Sequence, residues 1–484
     1  MHVAETHISW VFLVGDHAYK LKKPVRTAFL DFSTVDARAA DCRREVELNR
    51  RLAADVYEGV ATITGPDGKV CDHLVVMRRM PDDRRLASLV AGSATDAELR
   101  RQLVAVARRI AALHASSAPG AAIDEEASQQ ATAARWVANT SQLRPFAGHL
   151  VDGALINEVD ALAARYVAGR GPLFTSRVAG ARAVDGHGDM LADDIFCLDD
   201  GPRILDCLEF DDRLRWGDGL ADAAFLAMDL ERLGRPDLAE LFLCCYADAR
   251  GDAWPSSLAH HYVAYRAQVR AKVACLRSDQ GGDTAQDARS LLDLALDRLR
   301  RGAVRIVLVG GLPGTGKSTL AAELASRTGW TLIRSDIVRK ERYGSASRAP
   351  TGYRQGPYGP AQTEGTYADV LATAQTLAGL GESVVLDASW TAERHRAAAH
   401  EIANEAFADL VELRCVAPAR VAAQRIQSRR RAGVDPSDAT PAIAAAMAAD
   451  AHPWPSSVAL DSTMSIDDVV KAALEVAAPE ATGG

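Results

Sequence analysis

Two stretches of this sequence place glycines, lysines and carboxylates where phosphate chemistry needs them. The first is Gly311-Leu-Pro-Gly314-Thr315-Gly316-Lys317-Ser318-Thr319, which follows the apolar run from Val304 to Val309 and leads into Leu320-Ala-Ala-Glu-Leu-Ala. A buried strand running into a glycine-rich turn and then a helix aims backbone N–H groups and the positive end of the helix at one anion. Lys317 is expected to reach the β and γ phosphates of ATP and Ser318 to hold Mg²⁺. The second stretch is His187-Gly188-Asp189, then four residues, then Asp194, followed by Ile204-Leu-Asp206-Cys-Leu-Glu209. Two acidic groups on one loop and a third at a strand end suit a Mg²⁺-bound ATP, with one carboxylate taking the acceptor's hydroxyl proton and the others holding metal.

Further residues fall into place around the first stretch. Trp330-Thr-Leu-Ile-Arg-Ser335-Asp336 reads as a strand ending in Ser-Asp, and Ser383-Val-Val-Leu-Asp387 as another ending in an acid. Ligands of parallel α/β sheets gather at the carboxyl ends of strands, so Asp336 is expected to face the transferred phosphate and Asp387 to hold magnesium or its water. Gln424-Arg425-Ile-Gln-Ser-Arg429-Arg430-Arg431 reads as a helix; Arg425 and Arg429 share a face at i,i+4 and suit a lid that offsets transition-state charge. Tyr358 and Tyr367 are expected near an acceptor pocket and Trp454 in packing.

The elements that must position these groups can be read from periodicity. His7–Val14 and His17–Lys22 flank Gly15-Asp16 as a hairpin, a helix is expected from about Asp36 to Ala53, and a second strand pair from about Gly59 to Met77 turns at Gly65-Pro-Asp-Gly68. Period-two geometry puts Lys20 and Lys22 on one face of their strand. Beyond Pro81 the pattern turns helical, with a β-type interruption over 183–206. The last helix of this part ends at Gly302, and strand and helix alternate afterwards, which predicts a parallel sheet covered by helices. The expected boundaries are therefore a first domain over 1–302, with a small β-rich lobe over about 1–80 and a helical lobe over about 81–302, then a P-loop domain over 303–478 and a disordered tail over 479–484. Pro and Gly punctuate 344–360 as an acceptor-side loop.

The His187-Gly-Asp189 segment resembles the catalytic loop of aminoglycoside phosphotransferase-type small-molecule kinases, which share the protein-kinase fold. The resemblance implies an α+β bilobal first domain, Asp189 as catalytic base, Asp206 as principal metal ligand, and a strand lysine paired with a helix glutamate on the α and β phosphates. Lys22 with Glu45 is the favoured pair and Lys20 the alternative; His187 is expected at the nucleotide. The family carries Asn where Asp194 stands, which leaves the metal count open. Asp222 is either a helix N-terminal acid or a brace for this loop, and His114 reads as a core histidine. Residues 304–460 resemble P-loop kinases of the gluconate kinase, polynucleotide 5′-kinase and zeta-toxin type, where the Ser-Asp after the second strand supplies the base. Taken whole, the chain resembles a fused aminoglycoside phosphotransferase-like and AAA-type P-loop kinase family. The implied function is a bifunctional ATP- and Mg²⁺-dependent phosphotransferase acting on small-molecule hydroxyl groups. Two alternatives are an ATP-sensing regulator with one degenerate kinase domain and a polynucleotide 5′-kinase activity in the second half.

Bulk properties narrow the class. At 484 residues the chain exceeds one ordinary domain, and 48% hydrophobic content suits globular protein. No apolar run of about eighteen residues and no basic-then-apolar leader is present, so neither membrane insertion nor export is expected, and a cytoplasmic location is. Eight cysteines without a Cys-x-x-Cys pair read as reduced thiols. A net charge of −8 argues against general nucleic-acid binding, leaving small-molecule acceptors as the expected partners. The sequence assigns no oligomeric state.

Overall fold

The computed structural model describes residues 2–5, 8–26, 31–92, 94–343, 354–432 and 440–479. Most of the loop expected over 344–360 and nearly all of the expected tail thus lie outside the described residues. The chain divides into two compact units. The first comprises Met1–Ala161, Phe174–Trp254 and Ala259–Arg298; the second comprises Leu162–Leu173, Pro255–Leu258 and Leu299–Gly484.

The first unit begins with an antiparallel sheet built from β1 (His2–Glu5), β2 (Ser9–Val14), β3 (His17–Lys22), β4 (Tyr57–Thr64) and β5 (Val70–Arg78), in the order β1-β2-β3-β5-β4. Alternation along β3 buries Ala18, Lys20 and Lys22, so both lysines point to the inner face. That face is covered by the helix Val35–Ala53, whose N-cap Thr34 accepts from the Ala37 N–H at 3.2 Å. Cys42, Val46 and Ala53 of the helix pack with Ala18, Val75 and Met77 of the sheet, leaving Asp41 and Glu45, one helical turn apart, to meet the lysines.

The rest of the unit is mainly helical. Two short ribbons interrupt it: β6 (Ala183–Asp185) pairs with β9 (Trp216–Asp218), and β7 (Ile195–Leu198) pairs with β8 (Gly201–Ile204). The loop after β6 carries Asp189 and Asp194, and the segment after β8 carries Asp206 and Glu209. Beneath them lies the helix Gly219–Arg232, buried almost all round from Gly219 to Leu230.

The second unit is a five-stranded parallel sheet of β10 (Arg305–Gly310), β11 (Thr331–Arg334), β12 (Val384–Asp387), β13 (Asp409–Val416) and β14 (Val458–Asp461), ordered β11-β12-β10-β13-β14. Every residue of β10 is buried, as a central parallel strand between two helical layers requires. One apolar layer gathers Ile306, Leu308, Leu386, Trp390 and Trp454; the other gathers Val307, Val309, Leu320, Leu324 and Val470. Trp454 is thus packing, as expected, and lies close enough to Gly310 that no Cβ would fit there.

Candidate functional site

The two lysines of β3 share Glu45. Lys20 Nζ lies 2.9 Å from Glu45 Oε1 and Lys22 Nζ 2.6 Å from Glu45 Oε2. Their other partners differ. Lys22 is fully buried and also contacts Asp41 at 2.7 Å and Glu209. Lys20 instead reaches Asp206, whose side chain is half exposed. The expected Lys22–Glu45 pair is therefore present, but three carboxylates enclose Lys22 away from solvent, and Lys20, the alternative, is the lysine that reaches the loop acid Asp206. Asp41, Glu45 and Glu209 cluster tightly enough to suggest a cation site, and the Lys22 ammonium is the cation that fills it.

Charge balance in this cluster is uneven. Burial opposes the charge on Lys20, but Asp206 and Glu45 hold its pKa well above the ordinary lysine value. Burial likewise opposes ionisation of Glu45 and Asp206, yet Lys20 and Lys22 outweigh it and keep both carboxyls below their usual range. Glu209 is pushed up to about 8, by burial first and by Glu45 and Asp41, against the pull of Lys22.

Asp206 occupies a backbone conformation that side-chain-bearing residues rarely adopt, with φ of +62°. Its N–H donates to the Tyr57 hydroxyl at 3.1 Å, and the next N–H, of Cys207, donates to Asn49 Oδ1 at 2.9 Å. The β-rich lobe therefore fixes the strained turn.

The loop carrying Asp189 is held from below. Asp222 accepts the N–H of His187 at 2.8 Å and of Gly188 at 2.7 Å, and its Oδ2 lies 2.9 Å from His114 Nε2. His114 Nδ1 lies 2.8 Å from the Tyr246 hydroxyl. Burial works against the Asp222 carboxylate, but His114 and the backbone donors hold its pKa far below the usual range. Of the two expectations for Asp222, bracing the loop is the one the geometry matches. Gly186 is required beside it, because a Cβ there would meet Asp222 Oδ2 at 2.5 Å. His187 is also corrected: it is wholly buried, with Nε2 2.9 Å from the Leu205 carbonyl oxygen. It ties the Asp189 loop to the Asp206 segment and does not open toward a nucleotide.

Asp189 and Asp194 are both partly buried. Asp189 is bridged by Arg270 Nη1 at 3.3 and 3.4 Å, a contact from the helix Ser256–Asp279 that no sequence motif announced. Burial, then Asp206 and Asp189, push the Asp194 carboxyl well above its ordinary pKa. A carboxyl raised by neighbouring carboxylates suits Mg²⁺, which would relieve that repulsion. Asp206 and Asp194 fit as its holders.

In the second unit, register assembles the site. β12 lies between β10 and β11, and Asp387 is paired with Val309, at the end of the strand that feeds the loop, and with Arg334. Arg334 Nε lies 3.2 Å from Asp387 Oδ2, while the buried Oδ1 has no hydrogen-bond partner among the described residues. An orphaned carboxylate oxygen beside a phosphate-binding loop fits a magnesium ion or its water. Asp336 opens the helix Ser335–Tyr343 directly after β11 and pairs with Arg339 at 2.9 Å; the Arg339 guanidinium lies 4.7 Å from the centre of the Tyr358 ring. Tyr367 is buried, takes the Trp390 N–H at 3.1 Å and stacks on His395 at 3.8 Å. It supports the turn after β12.

The glycine-rich loop has φ of +140°, +86° and +89° at Gly311, Gly314 and Gly316. Gly314 passes so close to the Ala422 carbonyl oxygen that no Cβ would fit, and a Cβ on Gly311 would meet Thr315 Oγ1 at 2.6 Å. Lys317, Ser318 and Thr319 form the first turn of the helix Lys317–Thr328. Among the described residues Lys317 makes no ion pair, which leaves its ammonium available to phosphate. Arg425 is held by Ser462, through Oγ at 3.1 Å and the carbonyl at 2.8 Å, within reach of Gly316. Arg429 lies exposed one turn further on, and the side chain of Arg430 is outside the described residues.

Residues 306–453 match the AAA domain family, so the second unit is a P-loop NTPase domain. The chain as a whole belongs to the same family as uncharacterized protein Rv2004c of Mycobacterium tuberculosis (strain ATCC 25618 / H37Rv), to which it is 44% identical over 463 residues, covering 95% of this chain and 92% of the relative. Uncharacterized protein Mb2027c of Mycobacterium bovis matches to the same extent. Among solved structures, a sugar kinase from Janibacter sp. HTCC2649 is 20% identical, with 36% of this chain and 96% of that chain covered and a TM-score of 0.30. A choline kinase from Cryptosporidium parvum is 10% identical, with 61% and 88% covered and a TM-score of 0.39. Among the described residues no helix is long and apolar enough to cross a membrane.

Proposed function

We propose that this chain is a bifunctional ATP-dependent phosphotransferase with two nucleotide sites, each delivering a phosphoryl group to a hydroxyl of a small molecule. The observation that carries the reading is the repeated constellation: Lys20, Asp206 and Asp189 in a protein-kinase-like first unit, and Lys317, Asp387 and Asp336 in the second. In each, a lysine suits the nucleotide phosphates, one carboxylate suits metal, and a second stands ready for the acceptor's proton. Asp206 with Asp194 in the first unit, and Asp387 in the second, would hold Mg²⁺, which would neutralise charge developing on the transferred phosphate.

In the first unit Lys20, oriented by Glu45, positions the phosphates, and Asp189 receives the hydroxyl proton at a carboxylate oxygen. In the second, the loop N–H groups and Lys317 hold the phosphates, Asp336 receives the proton, and Arg425 offsets charge on the transferred group. The cytoplasm, where ATP is plentiful, is the expected compartment.

ATP turnover by the full chain tests this. Asp189→Ala and Lys317→Ala should each remove part of it, and the double variant all of it. Complete loss from either single change would show that the units do not turn over independently. Asp194, standing where the resembling kinases carry Asn, favours a second reading in which the first unit binds ATP as a sensor; binding without turnover in the Lys317→Ala variant would support that.

A further inference from the structure

The face of the first unit that presents Asp189 is lined by guanidinium groups from a single helix. On Ser256–Asp279, Arg266, Arg270 and Arg277 are separated by four and seven residues, which places them on one face. Arg266 is committed to the fold: it donates to the Ala221 carbonyl at 2.8 Å and its guanidinium stacks 4.0 Å from the centre of the Phe225 ring. The next two are not. Arg270 touches Asp189 through Nη1 alone, at 3.3 and 3.4 Å, long for a charged pair, and its Nη2 and Nε make no hydrogen bond among the described residues. Arg277 is exposed and makes no ion pair among the described residues, yet its charge interacts with Arg270, Asp189 and Asp194.

Resting on the reading of this unit as a kinase, we propose that its acceptor is an anionic hydroxyl compound, carrying a carboxylate or phosphate that Arg270 and Arg277 bind while Asp189 faces the hydroxyl. The forked guanidinium donors match either anion bidentately. With metal neutralising Asp194 and Asp206, the acceptor side is left with two cationic groups flanking a single base. A polycation such as an aminoglycoside would meet those arginines directly and be repelled. Arg270 also orients the Asp189 carboxylate before the acceptor arrives. When the acceptor's anion takes the spare donors, the hydroxyl proton passes to Asp189 as the oxygen bonds to the γ-phosphorus and the bond to the β–γ bridging oxygen breaks, releasing ADP.

The test uses the full chain carrying Lys317→Ala, so that turnover reports the first unit. Mg-ATP turnover is measured with glycerate, gluconate and glucose 6-phosphate as anionic probes, glucose and glycerol as neutral ones, and kanamycin as a cationic one. At least one anionic probe should be phosphorylated, with Arg277→Ala raising its KM about tenfold and Arg277→Glu more, while KM for ATP stays within twofold. Turnover confined to neutral or cationic probes, no turnover with any anionic probe, or an anionic KM indifferent to both Arg277 variants would overturn the proposal. Absence of Mg-ATP binding to this unit, read by calorimetry in the same variant, would instead overturn the kinase reading beneath it.

Discussion

Lys20 forms an ion pair with Asp206, a residue 186 positions further along the chain. The pair joins the β-rich lobe to the segment after β8, and Glu45 holds the lysine from the other side. Lys22, two residues on, is enclosed by Asp41, Glu45 and Glu209. Two lysines on one strand face thus have separate surroundings, one reaching the loop acid Asp206 and one enclosed in the fold.

Substitution separates the two lysines. Lys20→Ala should lower first-unit ATP turnover at least a hundredfold, measured in the Lys317→Ala chain, with little change in melting temperature. Lys22→Ala leaves Asp41 and Glu209 without their cation and Glu45 with Lys20 alone, and should cost about 3–5 kcal/mol of stability in urea unfolding. Equal stability losses from both variants would contradict the division.

Asp222 supports the Asp189 loop through two backbone N–H groups and His114. Replacing it with Ala strands those buried donors, and about 3 kcal/mol of stability should be lost. Asp222→Asn keeps the shape and one acceptor, so its loss should be smaller; urea unfolding with a first-unit activity assay checks both.

Protonation of Glu209 gives the first unit a defined pH response. Its folded pKa, about 8, lies above its ordinary value of 4.5. A carboxyl raised on folding contributes stability that is full below the unfolded pKa and is lost as pH rises through the folded one. This contribution to the melting temperature of the unit should therefore fall between about pH 4.5 and about pH 8. Glu209→Gln should flatten that slope, and Asp194→Asn should act in the same sense, since Asp194 is raised too.

How much of this was legible depends on how local each feature is. The loop from Gly311 to Thr319 reads directly because its turn, its glycines and its helix are contiguous. Asp387 and Asp336 follow because parallel strands bring their carboxyl ends together. Which lysine faces Asp206 does not follow, since period two puts Lys20 and Lys22 on the same face and only the distant Asp206 segment distinguishes them. His187 reads as a site residue by its neighbours, yet it is wholly buried and its Nε2 is tied to the Leu205 carbonyl. Arg270 was invisible for the same reason: a helix spacing shows its face, not that the face meets Asp189. At the sheet edge, β14 buries only Leu460, so it lacks the alternation that announces a strand.

Gly314→Ala probes the second site alone. The residue has φ of +86° and abuts the Ala422 carbonyl, so a methyl group must distort the loop. Nucleotide affinity of the second unit should fall at least tenfold, with first-unit turnover unchanged.

The central claim is two nucleotide sites in one chain, and calorimetric titration with a non-hydrolysable ATP analogue and Mg²⁺ tests it most directly. The account predicts two equivalents bound per chain, falling to one in Asp206→Ala and to one in Gly314→Ala. A single equivalent in the unaltered chain, or a count that neither variant changes, would contradict it.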